Sequence, residues 1–212
     1  MIEDENNSWI NIADIMSALM MIFMFIAIAF MYQLQNEKEL YRIKLNIALH
    51  NEFDNDLKNW KAEITEDNIV RFKSPFKIGS SKIPHNFCNI LNNFSPRYIK
   101  LLTLSSFKDE IDEIRIEGHT SNGWSKISSQ EDNYLNNMNL SQERANNVLS
   151  YLYKLDNENI NSNQKWLEKY LRANGMAFSN LLYIDDKKTI QDANNSRRVE
   201  FRVITEEHKE KV

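Results

Sequence analysis

Residues 10–32 read INIADIMSALMMIFMFIAIAFMY, and this stretch divides the chain into two physically different parts. Asn11, Asp14 and Ser17 are its clearly polar members. A helix rises about 1.5 Å per residue, so the run covers the roughly 30 Å hydrocarbon core of a bilayer. A retained, single-pass membrane helix is expected, not a cleaved signal. Residues 1–9 carry Glu3, Asp4 and Glu5 but no Lys or Arg, the apolar stretch is too long, and no small-residue cleavage site follows. Asp14 is the conspicuous residue. A carboxylate at the centre of a membrane helix costs about 2.5–3.5 kcal/mol on insertion scales, and by default it marks an ion or proton path. Trp9, a residue type of the headgroup interface, sets Asp14 about 7 Å deeper at helical rise. Ser17, one turn on, shares its face and can bond a protonated carboxyl or help hold a cation. Two blander alternatives stay open at this level. If the helix begins at Ile15, Asp14 is an N-cap at the membrane surface. Ser17 can equally bond its own backbone or a neighbouring helix.

Composition fits a soluble module behind a membrane tether. The net charge is −4 over 212 residues, which gives no reason to expect nucleic acid. About 180 residues lie outside the membrane run, enough for one domain with a real core and a connector. The single cysteine, Cys88, excludes an internal disulfide and reads as a small core residue. His50, His85, His119 and His208 are scattered, and no metal or nucleophile constellation emerges, so neither an enzyme nor a cofactor is expected. Lys38, Arg42 and Lys44 follow the apolar run; counted alone, they put the C-terminal side in the cytoplasm.

Beyond the run, Leu34, Tyr41, Leu45, Leu49, Phe53, Leu57, Trp60 and Ile64 recur mostly every four residues, a helical stripe over 33–64. Such a stripe either packs on its own domain or pairs with a second copy above the membrane. The dimer is the expectation, although the spacing drifts from a strict heptad. Residues 69–72 read as a strand and Pro75 to Gly79 as loop. Two helices are expected at 87–94 and 98–107. A half-buried strand at 113–117 ends at Gly118-His119-Thr120-Ser121. A helix is expected from Ser141 as N-cap, with Val148, Leu149, Leu152 and Leu155 as its apolar face. Another helix at 164–173 stops at Asn174-Gly175, and a last strand runs over 198–204. Strands and helices mixed in this way predict an α+β sandwich.

Three pieces make the C-terminal part recognisable: Ile116-Glu117-Gly118-His119-Thr120, then Asn137-Met138-Asn139-Leu140-Ser141-Gln142-Glu143-Arg144-Ala145, then Arg197-Arg198-Val199-Glu200-Phe201. In this order and spacing they resemble the OmpA-like peptidoglycan-binding domain. Ala13-Asp14 followed by Met16-Ser17-Ala18-Leu19-Met20 resembles the B subunit of rotary stators, the MotB type. The short acidic N-terminal tail and the SALMMIFMFIAI run bring the resemblance nearer to the B subunits of Zorya anti-phage defence than to flagellar ones. The resemblance implies a cytoplasmic tail at 1–9, a transmembrane helix at 10–32, a helical linker at 33–64, the OmpA-like α/β sandwich at 65–205 and a charged tail at 206–212.

It also implies a pocket for the peptide stem of peptidoglycan. Arg144, near the end of the first turn of its helix, would meet the stem's carboxylate, for which a guanidinium fork is well shaped. Asn137 and Leu140 match binding positions beside it, and Arg197 opens the third piece. Ser121 stands where the family usually has the Asp that receives the stem's amino group, so that contact keeps a hydrogen bond and loses a charge. Ser196 stands in place of the usual Asn, with Asn194 and Asn195 close by. The loop 122–136 is longer than in simple members, and Trp124 and Tyr134 are candidates for a different wall. On the residues alone, Arg144 equally reads as an ion pair with Glu117 or Glu200, and Leu140 as a hydrophobic staple before its cap.

By the same resemblance, two copies would sit inside a ring of a MotA-like A subunit (ZorA-type) in the bacterial inner membrane. The N-terminus would be cytoplasmic and the domain periplasmic, against the Lys/Arg count. Asp14 and Ser17 would carry the ion, a proton, with sodium left open. A flagellar-type stator subunit and a non-motor tether to the cell wall are the rivals. A TolR- or ExbD-type transport subunit shares the lone membrane Asp but lacks the OmpA-like pieces.

Overall fold

The computed structural model describes residues 3–123 and 129–205, so Trp124 and the tail 206–212 lie outside the described residues. The chain forms two compact units, Met1–Ile43 and Lys44–Val212. Helix α1, Glu3–Trp60, contributes to both. In the first unit it presents apolar side chains in every direction: Phe23, Phe25, Ile26 and Phe30 are each more than half exposed. A helix that is hydrophobic all round is made for lipid or for other helices. Among the described residues it is the one helix long and apolar enough to cross a membrane.

The second unit is built on one five-stranded sheet. Its strands are β1 (Ala62–Ile64), β2 (Ile69–Lys73), β3 (Ile111–Gly118), β4 (Leu171–Gly175) and β5 (Arg198–Thr205), in the spatial order β1-β2-β5-β3-β4. The first three pairings across the sheet are antiparallel and β3–β4 is parallel, with Gly118 opposite Gly175. Helices α2 (His85–Leu102), α3 (Gln130–Tyr153), α4 (Glu158–Asn161), α5 (Gln164–Tyr170) and α6 (Ala193–Ser196) complete it.

The core is aromatic. Phe94 of α2 lies 5.0 Å from Phe72 and 4.9 Å from Phe201, ring centroid to centroid, so α2 covers the β2–β5 pair. The end of α1 joins the same core. Leu45, Leu49 and Phe53 are fully buried, and Phe53 sits 5.2 Å from Phe94. Arg97 stacks over Phe53 at 4.9 Å while it bridges Glu52 at 2.6 Å and Asp56 at 2.7 Å. Asn46 donates to the Thr65 carbonyl at 2.9 Å. From Leu45 onward, the stripe expected to serve a dimer therefore packs on the chain's own domain. The compact unit begins at Lys44, within the segment expected to be a linker, and β1 belongs to it.

Four further differences from the sequence reading have physical causes. The helices expected at 87–94 and 98–107 are the single helix α2, which stops at Leu102 and leaves 103–107 as turns; Pro96 removes one backbone donor, yet Phe87, Leu91, Phe94, Tyr98 and Leu102 keep one unbroken buried face across it. Helix α3 starts a full three turns before Ser141. Ser129 is its N-cap, accepting from the Asp132 amide at 3.1 Å, with Glu131 and Asp132 in the first turn. Leu171–Gly175, expected as the last helical residues 171–173 and their stop signal Asn174-Gly175, is strand β4, because pairing with β3 outweighs the helix propensity of Leu171-Arg172-Ala173. Cys88 is half-buried, not a core residue. Two glycines let α3 lie against the sheet. A Cβ at Gly118 would overlap the Ser141 carbonyl, and one at Gly175 would come within 2.7 Å of the Gln142 amide nitrogen.

The docking of α1 onto the domain is open to a stability measurement. Phe53→Ala removes a fully buried ring between α1 and α2 and is expected to lower unfolding free energy by about 3–5 kcal/mol, read by denaturant titration of the full chain in detergent.

Candidate functional site

Ser121, Asn137, Leu140, Arg144 and Arg197, picked out separately in sequence, line one cavity of about 280 Å³. Ile78, Gly79, Thr120 and Gly123 complete its wall. Helical spacing explains the first grouping. Asn137, Leu140, Ser141 and Arg144 stand at i, i+3, i+4 and i+7 on α3, so they share its buried face. Ser141 is no N-cap; its hydroxyl donates to the Met138 carbonyl and accepts from the Ala177 amide, each at 2.9 Å, which pins the helix beside the pocket. Leu140 lies mid-helix, so it is no staple.

Arg144 is the centre of the site. It sits well inside α3 and not near its first turn, and only 1% of it is exposed. Its Nε donates to the Ser80 carbonyl at 3.0 Å and its Nη2 to the Lys77 carbonyl at 3.1 Å, while the guanidinium lies 5.1 Å from the Phe76 ring centre. Those bonds hold loop 77–80 against the helix, where Gly79 takes the left-handed conformation at φ 69°. The ion pair with Glu117 or Glu200 does not form, and no carboxylate pairs with Arg144 among the described residues. Burial, reinforced by the neighbouring charge of Arg197, pulls its pKa down to about 10. Gly79 was read only as loop and Ile78 was not singled out, so the part both play in the pocket wall was missed; the Gly in an otherwise glycine-poor chain was the one signal.

The rest of the polar wall is held from behind. Asn137 donates to the Asn133 carbonyl and side-chain oxygen, both at 2.9 Å. The Thr120 amide donates to the Ala177 carbonyl at 2.7 Å, and its buried hydroxyl has no partner among the described residues. Ser196 is fully buried and accepts from the Leu182 amide at 2.9 Å, so the residue in place of the usual Asn anchors the incoming loop. Tyr134 belongs to α3 and pairs edge-on with Phe178 at 6.0 Å; it does not line the cavity.

Behind the pocket lies a buried cluster of Glu117, His119 and Glu200, whose ligand atoms fall within 4.8 Å of one another. Such a trio can hold a metal in principle, but its carboxylates are already matched by cations. Glu200 accepts from Arg71 and Arg198 at 2.6 Å each, and Glu117 from Arg202 at 3.3 Å. A divalent ion would add charge to a balanced group, so the trio reads as the frame that fixes the Gly118-His119-Thr120 turn. His119 Nε2 lies 3.4 Å from Glu200 and 3.7 Å from Glu117.

In the first unit, Asp14 lies well inside α1, which begins at Glu3, so the N-cap alternative does not hold. Asp14 and Ser17 are both exposed and three residues apart on one helix, hence on one face. Ser17 lines a shallow groove with Met16, Leu19, Met20 and Phe23.

A long apolar helix followed by a mixed five-stranded sheet covered by helices is the fold of MotB-like proteins with OmpA-like domains. A MotB-like protein from Desulfovibrio vulgaris shares this fold with a TM-score of 0.55 at 18% identity, over 81% of this chain and 99% of that one. The cell wall anchor of the T6SS from Pseudomonas aeruginosa aligns with a TM-score of 0.46 at 18% identity, over 74% and 97%. No family model matches the chain. Zorya protein ZorB of Escherichia coli (strain ATCC 8739) is 40% identical over 217 residues, which span 96% of this chain and 90% of ZorB. The chain belongs to the ZorB family.

Acid should weaken this domain through the buried cluster. Burial alone raises the Glu200 carboxyl, but His119 and Arg198 outweigh it and hold it well below the usual carboxylate range; Glu117 is lowered too, burial again outweighed by His119 and Arg202. A depressed folded-state pKa gives stability that is complete above the unfolded value of about 4.3 and is lost as pH falls through the folded values. Glu200→Gln is expected to cost about 3–5 kcal/mol at pH 7, by stranding Arg198, and to flatten the loss below pH ~4 in thermal melts.

Proposed function

We propose that this chain is an ion-driven stator subunit of a Zorya-type anti-phage system, anchored to peptidoglycan. The observation that carries the anchoring half is Arg144. A guanidinium 1% exposed, without a carboxylate partner among the described residues and lining a cavity, is costly until an anion arrives. The carboxylate of a wall stem peptide supplies that anion. Ser121 and the Thr120 hydroxyl offer neutral hydrogen bonds where the family's usual Asp would offer a charge, so the stem's amino group is held more weakly here.

The motor half rests on Asp14 inside an apolar helix that its own protein leaves uncovered. Protonated, the carboxyl is tolerable in a low-dielectric setting; ionised, it seeks a polar partner. Alternation between the two changes which surface of a surrounding A-subunit ring of the MotA-like (ZorA) type the helix prefers, and the ring steps. The carried ion is a proton, and Ser17 on the same face leaves room for sodium. Two copies of this chain stand in the ring, their N-termini in the cytoplasm and their domains in the periplasm. The kinship with ZorB favours phage defence over the flagellum.

Phage protection by the intact operon carrying Asp14→Asn, with co-purification of the A subunit, tests the motor. Protection is expected to disappear while the complex survives; full protection would leave a passive wall tether. Arg144→Lys keeps the charge and loses the fork. It is expected to weaken sedimentation with purified sacculi by about tenfold or more, equivalent to roughly 1.4 kcal/mol or above.

A further inference from the structure

A second, larger cavity of about 680 Å³ adjoins the first, and the two share Ile78 and Arg197. Lys61, Lys73 and Lys77 join Arg197 around it, and no carboxylate lines it among the described residues. The four cations come from three separate segments: the turn after α1, the end of β2 with its following loop, and the residue before β5. Their convergence is built into the backbone. The Lys73 amide donates to the Lys61 carbonyl at 3.0 Å, and the Ser74 amide to the Arg197 carbonyl at 2.9 Å. The Ser74 hydroxyl bonds the Asn194 carbonyl, and Arg197 bonds the Asn194 side chain. Lys61 sits in this frame with a left-handed φ of 52°.

Charge is left over. Lys73 pairs with Glu63, but Lys61, Lys77 and Arg197 have no ion pair among the described residues. Asp192, whose charge acts on Lys73, is occupied by the Asn195 amide at 3.0 Å and side chain at 2.6 Å. Lysines on a surface are ordinarily just solvated. Here they open onto a pocket that holds a further unpaired cation, Arg144, and Phe76 and an 81%-exposed Ile78 supply apolar wall between them. A ligand that fits both basins is an extended peptide with more than one carboxylate and short aliphatic side chains.

We propose that the second basin is a subsite for the free carboxylate of the residue that precedes the diamino acid in the wall peptide held in the first. Arg197 stands between the two anions and neutralises part of each. This rests on the stem-peptide reading of the first cavity. The consequence is a preference for an intact stem over its isolated diamino acid.

Calorimetric titration of the full-length protein in detergent checks this, with meso-diaminopimelate and with the tripeptide L-Ala-γ-D-Glu-meso-diaminopimelate. The tripeptide is expected to bind about tenfold more tightly or better, with a steeper loss as salt is raised. Lys61→Glu, at an exposed side chain, should remove that advantage and leave diaminopimelate binding as in the wild type. Equal wild-type affinities for the two ligands, or a Lys61→Glu variant that weakens both or neither, would overturn the second basin while leaving the first intact. Arg144→Lys should weaken both ligands together. If the wild type binds neither, the stem-peptide reading falls and the second basin falls with it.

Discussion

Glu200 is the group on which the domain's architecture turns. It sits on the central strand, 1% exposed, and takes hydrogen bonds from Arg71 on one neighbouring strand and Arg198 on its own. His119, just past the strand on the other side, lies within 3.4 Å. A buried carboxylate with this many partners stabilises one arrangement of strands and penalises every other, because a shifted register would strand several charges at once. The turn from Gly118 to Ser121 is therefore positioned from inside the sheet, and the pocket inherits that position.

Charges in the domain fall into two kinds. Within the sheet they are matched: Glu117 with Arg202, Glu200 with Arg71 and Arg198, Glu63 with Arg71 and Lys73. Around the two cavities Arg144, Arg197, Lys61 and Lys77 have no acid partner among the described residues. The first kind fixes geometry, and the second raises the local potential for an anion. The aromatic core is indifferent to both. Phe53, Phe72, Phe94 and Phe201 hold α1, α2 and the sheet together by shape and burial alone.

The pocket was more legible in the sequence than the elements that carry it. Ser121, Asn137, Leu140, Arg144 and Arg197 came out of short motifs; the three on α3 meet because a helix repeats its face every three or four residues, and the ends of β3 and β5 bring Ser121 and Arg197 to them. The start of that helix was missed because Ser141, followed by Gln142 and Glu143, imitates a cap, whereas the true cap at Ser129 precedes a polar stretch with little apolar periodicity. Strand β4 was hidden by residues that favour helix when considered alone. The stripe at Leu45, Leu49 and Phe53 was visible, but its partners Phe94 and Arg97 are distant in sequence. Periodicity states that a face is buried; it does not say against what.

Strand β5, the middle of the sheet, is also the last of the described strands in sequence. Until it arrives, β2 and β3 have no common neighbour, Phe94 and Phe72 lack the Phe201 ring, and Glu200 is absent from its cluster. Closing so many long loops at once is slow, and nothing earlier in the sequence completes the sheet. A polypeptide of this design stays loose while most of it is being synthesised, and becomes compact only once strand β5 has emerged to join the two halves of the sheet.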